Sequence, residues 1–340
     1  MNNDTRFKYN AVMSKLAEVN GVQSVSQRFN VSPSIAQKIE TQIQEKVDFL
    51  ARINVEPVDE QTGEVLGIGV NTTIAGRTDT SGTGERNAVD PTSLGKKRTY
   101  FCAQTNFDTA ITYKLLDAWA HRPDFYAKFK EVVQRQQGLD RIKIGFNGTS
   151  AAATTDRSAN PLLEDVNIGW LEKIRTDAPA QYMEEGVEGS GKITIGAGSD
   201  YENLDAFVMN LADEFLHPIF RDSTDLVVIV GRSLMTEKNF RIANKADDNE
   251  NVLAGQVLIS QNQIGGFKAV RVPFFPDDAI LITSFSNLSI YVQNGSRRRH
   301  IEDEPKKNRI ANYESVNEAY VVEEYQAAAF AENIVYEDTP

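Results

Sequence analysis

Apolar positions along this chain fall into two periods, and the change between them marks the elements. Near the N-terminus Phe7, Ala11, Val12, Leu16 and Val19 make the apolar side of a helix, with Thr5 as N-cap and Gly21 as its stop. A second helix is predicted from Ser32-Pro33, with serine at the cap and proline in the first turn. There Ile35, Ile39, Ile43, Val47 and Leu50 recur almost every four residues and form one stripe. The polar link between them, GVQSVSQRFNVSP, reads as exposed and cleavable. In HRPDFYAKFKEVVQRQQGLDRIKIGFNG, residues Phe125, Phe129, Val132, Val133, Leu139 and Ile142 keep mostly to one face of a long helix ending near Gly145 to Gly148.

Shorter apolar runs predict strands. INVEPVDE and EVLGIGV flank a turn at Gln61-Thr62-Gly63, KITIG follows a glycine-rich turn, and DLVVIVG reads as buried on both faces. TSAAATTDRSANP is a loop and VNIGWLEKIRTDAP a short helix. NLDAFVMNLADEFLHPIF is a helix starting near Asn203 or Leu204 and stopped by Pro218. RSLMTEKNFRIANK is the helix after DLVVIVG, so helix, buried strand, helix and later strands suggest an α/β domain. After EVLGIGV, up to about Lys97, the chain is a long stretch rich in Gly, Thr, Ser and Asp, longer than the roughly 12–15 residues usual for a loop without function. It reads as an arm reaching a neighbouring subunit or as solvent-exposed disorder, and a free subunit could show both.

Composition narrows the function classes. The 340 residues suffice for two domains or one elaborated domain, and 41% hydrophobic with 25% charged is ordinary for a globular protein. Runs such as Leu226 to Val230 and Ala279 to Thr283 fall far short of the roughly 20 residues of a membrane span. The start, MNNDTRFKYN, is polar and shows no secretory signal, so no membrane partner is expected and synthesis is placed in the cytoplasm. A net charge of -12 argues against a general nucleic-acid-binding surface. The lone Cys102 cannot form an internal disulfide or hold a zinc by itself, and it reads as a small buried residue on a strand.

Local patterns that invite an enzymatic reading are incomplete. Gly186 to Lys192 has the glycine and lysine spacing of a phosphate-binding loop, but Ile193 stands where a hydroxyl is needed and no buried strand precedes it. His121, His217 and His300 are far apart, and Asp247-Asp248-Asn249-Glu250 lacks the ligand alternation of a calcium loop. No GxSxG elbow is present, though a triad scattered along the chain stays open. Arg297-Arg298-Arg299, followed by Glu302-Asp303-Glu304, is the densest basic run. It can face nucleic acid or pair with carboxylates of the same or a neighbouring subunit, and contact between subunits is the reading favoured here.

Taken together, DTRFKYNAVMSKLAEVNGV, GIGVNTTIAGRTDTSGTGER, TDRSANPLLEDVNIGWLEKIR, DLVVIVGRSLMTEKNFRIANK and AVRVPFFPDDAILITSFSNLSIYVQNGSRRRH resemble, in order and spacing, the major capsid proteins of P2-like tailed bacteriophages. The resemblance covers nearly the whole chain. It implies an α+β subunit of the HK97-type capsid fold: residues 1–29 removed on maturation, an N-terminal arm over 30–53 and an extended E-loop over 54–100. A peripheral domain with the long spine helix would span 101–165, an axial α/β domain 166–295, and a return to the peripheral domain 296–340.

The implied function is a shell-forming subunit of the virion capsid, assembled in the host bacterial cytoplasm as pentamers and hexamers around double-stranded DNA, held non-specifically. No catalysis, cofactor or metal is implied. The partners implied are further copies of the chain, a scaffold-protease and the portal. Cleavage is expected beside Phe29 and Asn30, in Gln27-Arg28-Phe29-Asn30-Val31, and contacts between subunits at Arg77, Arg86, Arg297, Arg298 and Arg299. Alternatives are a soluble α/β nucleotide-binding protein or enzyme, and an internal scaffold or tail component.

Overall fold

The computed structural model describes residues 1–65, 75–81, 85, 86, 88, 98–119, 122, 125–244 and 262–337. Helix α1 spans Asn3–Asn20 and ends at Gly21, which takes the left-handed φ of 66° that glycine adopts without strain. Its N-cap is Asn2, whose side chain accepts a hydrogen bond from the Thr5 amide, so the cap lies three residues before the expected Thr5. The apolar side differs too. Phe7 and Val19 are exposed, while Met13, Leu16 and Ala17 face the body of the protein. Helix α2, Pro33–Glu45, starts at Ser32 with proline in its first turn as predicted. Ile43 is buried within it, and the stripe continues into the turn that follows, where Val47 and Leu50 are buried.

Helix α3 is Tyr113–Trp119 and α4, the long helix, is Phe125–Asn147. The face that α4 buries is not the apolar stripe of the sequence: Val132 is exposed, and Gln134, Gln137, Gly138 and Arg141 are buried beside Ile142. Polar side chains can sit there because their partners come from distant segments, which periodicity does not show. Gly145 lies directly against the Trp170 ring, leaving no room for a side chain. Trp170 opens α5, Trp170–Asp177. Then come α6, Leu204–Phe215, capped by Asn203, α7, Pro218–Arg221, and α8, Arg232–Asn244.

Among the described residues the main strands form a seven-stranded and a six-stranded sheet. The first is organised on the long strand Arg309–Val322, which pairs antiparallel with Leu288–Gln293, Arg298–Glu304, Ala103–Asn106 and Thr109–Thr112. Asn54–Val58 adds in parallel to Leu288–Gln293, and Phe29–Asn30 adds antiparallel to Arg298–Glu304. The second runs Gln263–Ile264, Phe267–Val270, Leu226–Val230, Ile280–Ser284, Ala329–Ala331 and Tyr182–Met183. Leu226–Val230 is buried throughout, as its continuous apolar run predicts. Val227 and Ile229 face the core shared with α2, α4, α5 and the first sheet, while Val228 and Val230 face α6 and α8. Each such aliphatic side chain contributes about 1.5–3 kcal/mol on burial, so the strand ties the two sheets into one structure.

Two expected boundaries shift. Thr62 and Gly63, read as a turn, belong to a strand Thr62–Glu64 paired with Thr99–Phe101, and residues 66–70 of the expected EVLGIGV strand lie outside the described residues. The C-terminal segment 296–340 returns to the seven-stranded sheet only through Val322. Ala329–Ala331 then joins the six-stranded sheet, and Ile334–Tyr336 pairs in parallel with Ile193–Ile195. The alanine-rich turn before Phe330 lets the chain pass through the core between the sheets, with Ala328 and Phe330 fully buried. Short side chains at such a passage left no signal in the sequence pattern.

Buried charge network and candidate assembly surfaces

Where α2, α4 and the long strand meet, the structure holds a cluster of ions. Arg141 Nη1 and Nη2 donate to the two carboxylate oxygens of Glu40 at 2.6 and 3.2 Å, and its Nε donates to Glu318 at 2.9 Å. Arg297 donates to Glu40 and to Glu314, and Arg299 Nε lies 3.2 Å from the second Glu314 oxygen. Three guanidiniums thus meet three carboxylates. Arg141, Arg297, Glu314 and Glu318 are all buried, so the cluster is tolerable only because its charges balance and its arginines bind through several N–H groups.

Burial pushes the Glu40 carboxyl up, but Arg141 and Arg297 outweigh it and hold it down at about 2. Burial raises Glu318, which among the described residues has only Arg141 as a side-chain donor and leaves one oxygen with no partner. For Arg141 burial works against the charge, and Glu318 and Glu40 more than offset it, keeping the guanidinium charged. Mechanically, the network fastens α2 to α4 and to the sheet. Gln134 adds a 2.9 Å hydrogen bond to Gln42 on the same seam.

This geometry places the sequence-predicted residues as follows. Arg297, expected between subunits, is an internal ion: its side chain is 2% exposed, and its two terminal nitrogens bind Glu40 and Glu314 while its Nε is left without a partner. The acids adjacent in sequence drew attention to the right chemistry but the wrong partners, since Glu40 lies far away in the chain. Arg298 and Arg299 are half-buried on the strand pairing with Phe29–Asn30, and Arg77 and Arg86 are exposed. Thr72 to Ile74 and most of 82–97, which carry the expected E-loop tip, lie outside the described residues, as do His121 and the Asp247 to Glu250 cluster.

The link expected to be exposed is anchored instead. Phe29 is buried, Asn30 is exposed, and Val25 and Val31 are buried on either side, while Gln27 and Arg28 remain exposed between the anchors. The preceding helix lies on the same subunit. The N-terminal ammonium and Asn2 amide meet Asp117, and Arg6 and Tyr113 both bond Asp303.

The phosphate-loop spacing at Gly186 to Lys192 folds as a hairpin that answers its own groups. The Gly191 amide donates 3.0 Å to the Glu185 carboxylate, and Lys192 pairs with Glu337 at 2.8 Å. An anion would meet a carboxylate there. His217 accepts a hydrogen bond from the Ile219 amide through Nδ1 at 3.4 Å, and His300 stacks on Tyr313. Burial pushes the Cys102 thiol up to about 11; the residue sits at the break between Thr99–Phe101 and Ala103–Asn106 rather than within a strand. Among the described residues no group of three or more His, Cys, Asp or Glu is placed to hold a metal, and no helix is long and apolar enough to cross a membrane.

The sequence profile of the family described as "Phage major capsid protein, P2 family" matches residues 8–334. The chain belongs to this P2 family of phage major capsid proteins. It is 48% identical to the capsid protein of Escherichia phage P2, over 98% of this chain and 95% of that protein. The major capsid protein of Serratia phage KSP20 is 39% identical over 99% of this chain and 98% of its own length. Among solved structures, the satellite phage P4 procapsid that includes the size determination (Sid) protein matches with a TM-score of 0.82 and 45% identity, over 99% of both chains. This P2-family capsid protein therefore has the α+β, HK97-type capsid fold that the sequence implies, and a nucleotide-binding identity finds no support.

Proposed function

We propose that this capsid protein acts purely by assembly: many copies close into an icosahedral head around double-stranded DNA, and the subunit catalyses nothing. Supporting this reading is the likeness, over nearly the full chain, to the P4 procapsid subunit. Head-to-tail contacts, in which one surface fits a different surface of the next copy, close rings of five and six. Each contact can be modest because every subunit is held by several neighbours at once.

In this proposal the six-stranded sheet with α6 and α8 is the axial domain at the ring centres. The seven-stranded sheet with α4 as spine helix is the peripheral domain, and the E-loop reaches the next subunit with Arg77 and Arg86. Arg298 and Arg299 would contact neighbours once the strand Phe29–Asn30 changes. The scaffold-protease and portal are partners, assembly takes place in the host bacterial cytoplasm, and packaged DNA is held without sequence preference.

Maturation removes the residues before Phe29 or Asn30. The exposed pair Gln27-Arg28 offers a protease its entry, and the network at Glu40 keeps the remaining arm fastened after the cut. Intact mass of subunits taken from mature particles tests the cleavage: a chain starting near Asn30 is expected, and one still carrying Met1 or Asn2 refutes it.

A further inference from the structure

An acidic protein of net charge -12 carries, among the described residues, a basic cleft between the turn after α2, helix α4 and the segment after Val270. It has a volume of about 390 Å³, and Lys46, Arg52, Arg135 and Arg271 line it with a single acid, Asp48. Lys46 is spoken for by Glu131 at 2.6 Å. Among the described residues, no carboxylate partners Arg52, Arg135 or Arg271, although Arg52 lies over the Phe285 ring at 5.4 Å. Leu139, Val272 and Phe285 make the remaining wall apolar.

At the rim, Phe274 is held at a left-handed φ of 64°, costly for a bulky residue. Asn147 fixes it by donating 2.9 Å to its carbonyl, and the ring, 38% exposed, carries Lys143 at 4.8 Å. Cationic groups over an apolar wall suit a carboxylate-bearing peptide with an apolar side chain. A nucleic-acid backbone would leave that wall uncovered.

The same chain presents such a peptide. The hairpin-like loop between Tyr182–Met183 and Ile193–Ile195, strands that pair with Ala329–Ala331 and Ile334–Tyr336 rather than with each other, puts Val187, 61% exposed, between Glu184 and Glu188, which are exposed as well. Its shape is set internally: the Gly186 amide bonds the Lys192 carbonyl at 3.0 Å and the Ser190 amide the Val187 carbonyl at 2.9 Å. The tip is therefore preorganised, which lowers the ordering cost of docking.

Cleft and hairpin sit toward opposite ends of the six-stranded sheet. Val270 ends the second strand in the order and Tyr182–Met183 is the sixth. No residue of 184–192 is among those lining the cleft, so the hairpin leaves the cleft of its own subunit unfilled. We propose that the acidic hairpin around Val187 docks in the Arg135–Arg271 cleft of a second copy, as one head-to-tail contact of the shell. The inference rests on the assembly reading above and names a pair of surfaces that would carry it.

A charge-swap cycle on the full chain, co-expressed with its scaffold-protease, tests the contact. Arg135→Glu with Arg271→Glu, and separately Glu184→Lys with Glu188→Lys, are expected to cut the yield of sedimenting shells at least tenfold. The subunit's melting curve should be unchanged, since these side chains are exposed. Combining all four substitutions should restore most of the yield. A second readout is a disulfide between copies in shells carrying Arg135→Cys and Val187→Cys, with buried Cys102 unable to compete. Hairpin reversal without effect, or a fourfold variant no better than its parents together with no crosslink, would overturn this contact. Wild-type chains that form no shells under the same conditions would overturn the assembly reading and this contact with it.

Discussion

Replacing Arg141 by methionine should expose how the buried network works. The substitution keeps side-chain volume but removes the side-chain donor to Glu318, a carboxylate with no solvent exposure, while Glu40 keeps Arg297. Breaking one partner of a buried pair costs about 3–5 kcal/mol. The alternative open to the variant is to fold with Glu318 protonated. Starting from the ordinary carboxyl value of 4.5, that costs about 3.4 kcal/mol at pH 7, at 1.36 kcal/mol per pH unit. At pH 5 the same step costs about 0.7 kcal/mol.

The deficit of Arg141→Met relative to wild type should therefore be about 3 kcal/mol at pH 7 and shrink toward pH 5 by at most about 2.7 kcal/mol, less what wild-type Glu318, itself raised by burial, regains over the same range. Urea unfolding of the unassembled subunit, followed by fluorescence of the buried Trp170, measures it at both pH values. Adding Glu318→Met removes the stranded charge and leaves Glu40 and Glu314 balanced by Arg297 and Arg299, so most of the loss should return. A deficit below about 1 kcal/mol, or one equal at pH 7 and pH 5, would refute the reasoning that unpaired burial of Glu318 is what the arginine prevents.

Other consequences follow the same physics. Glu40, held at about 2 in the folded chain against an ordinary 4.5, stabilises fully above pH 4.5 and loses that contribution as pH falls toward 2. The shift corresponds to about 3 kcal/mol. Glu318, shifted upward, acts in the opposite sense, so Glu40→Gln is the comparison that isolates the effect: its stability should vary less than wild type's between pH 4.5 and 2 in the same unfolding assay. Gly145→Ala would press a methyl into the Trp170 ring and should cost about 1–3 kcal/mol by overpacking, read as a lower melting temperature. Gly76→Ala, with open space around it, should change nothing. Deleting Thr72 to Arg86 should leave a folded, soluble subunit that fails to close shells, and normal shells from that deletion would remove the arm from the account.

Much of this architecture is legible in local pattern. The α2 stripe, the Asn203 cap of α6 and the doubly buried Leu226–Val230 run each carry their own signal, because the burying surface and the period coincide. The charge network is not legible in that way. Gln134 and Arg141 on α4 lie off the apolar stripe of the sequence, and the arrival of Gln42 and Glu40 from α2 and Glu318 from the long strand makes their burial favourable. The N-terminal link likewise reads as free because its composition is polar, yet burial of Val25, Phe29 and Val31 and backbone pairing to Arg298–Glu304 pin it. At the C-terminus, the crossing from one sheet to the other uses alanines whose small size matters for passage and leaves no periodic trace. Family identity, by contrast, needed several segments in order, and no single motif would have carried it.

Electron microscopy of this chain co-expressed with its matching scaffold-protease tests assembly itself. The account predicts round shells of uniform diameter. Soluble, folded protein that stays monomeric or in small oligomers while active scaffold-protease is present would contradict it.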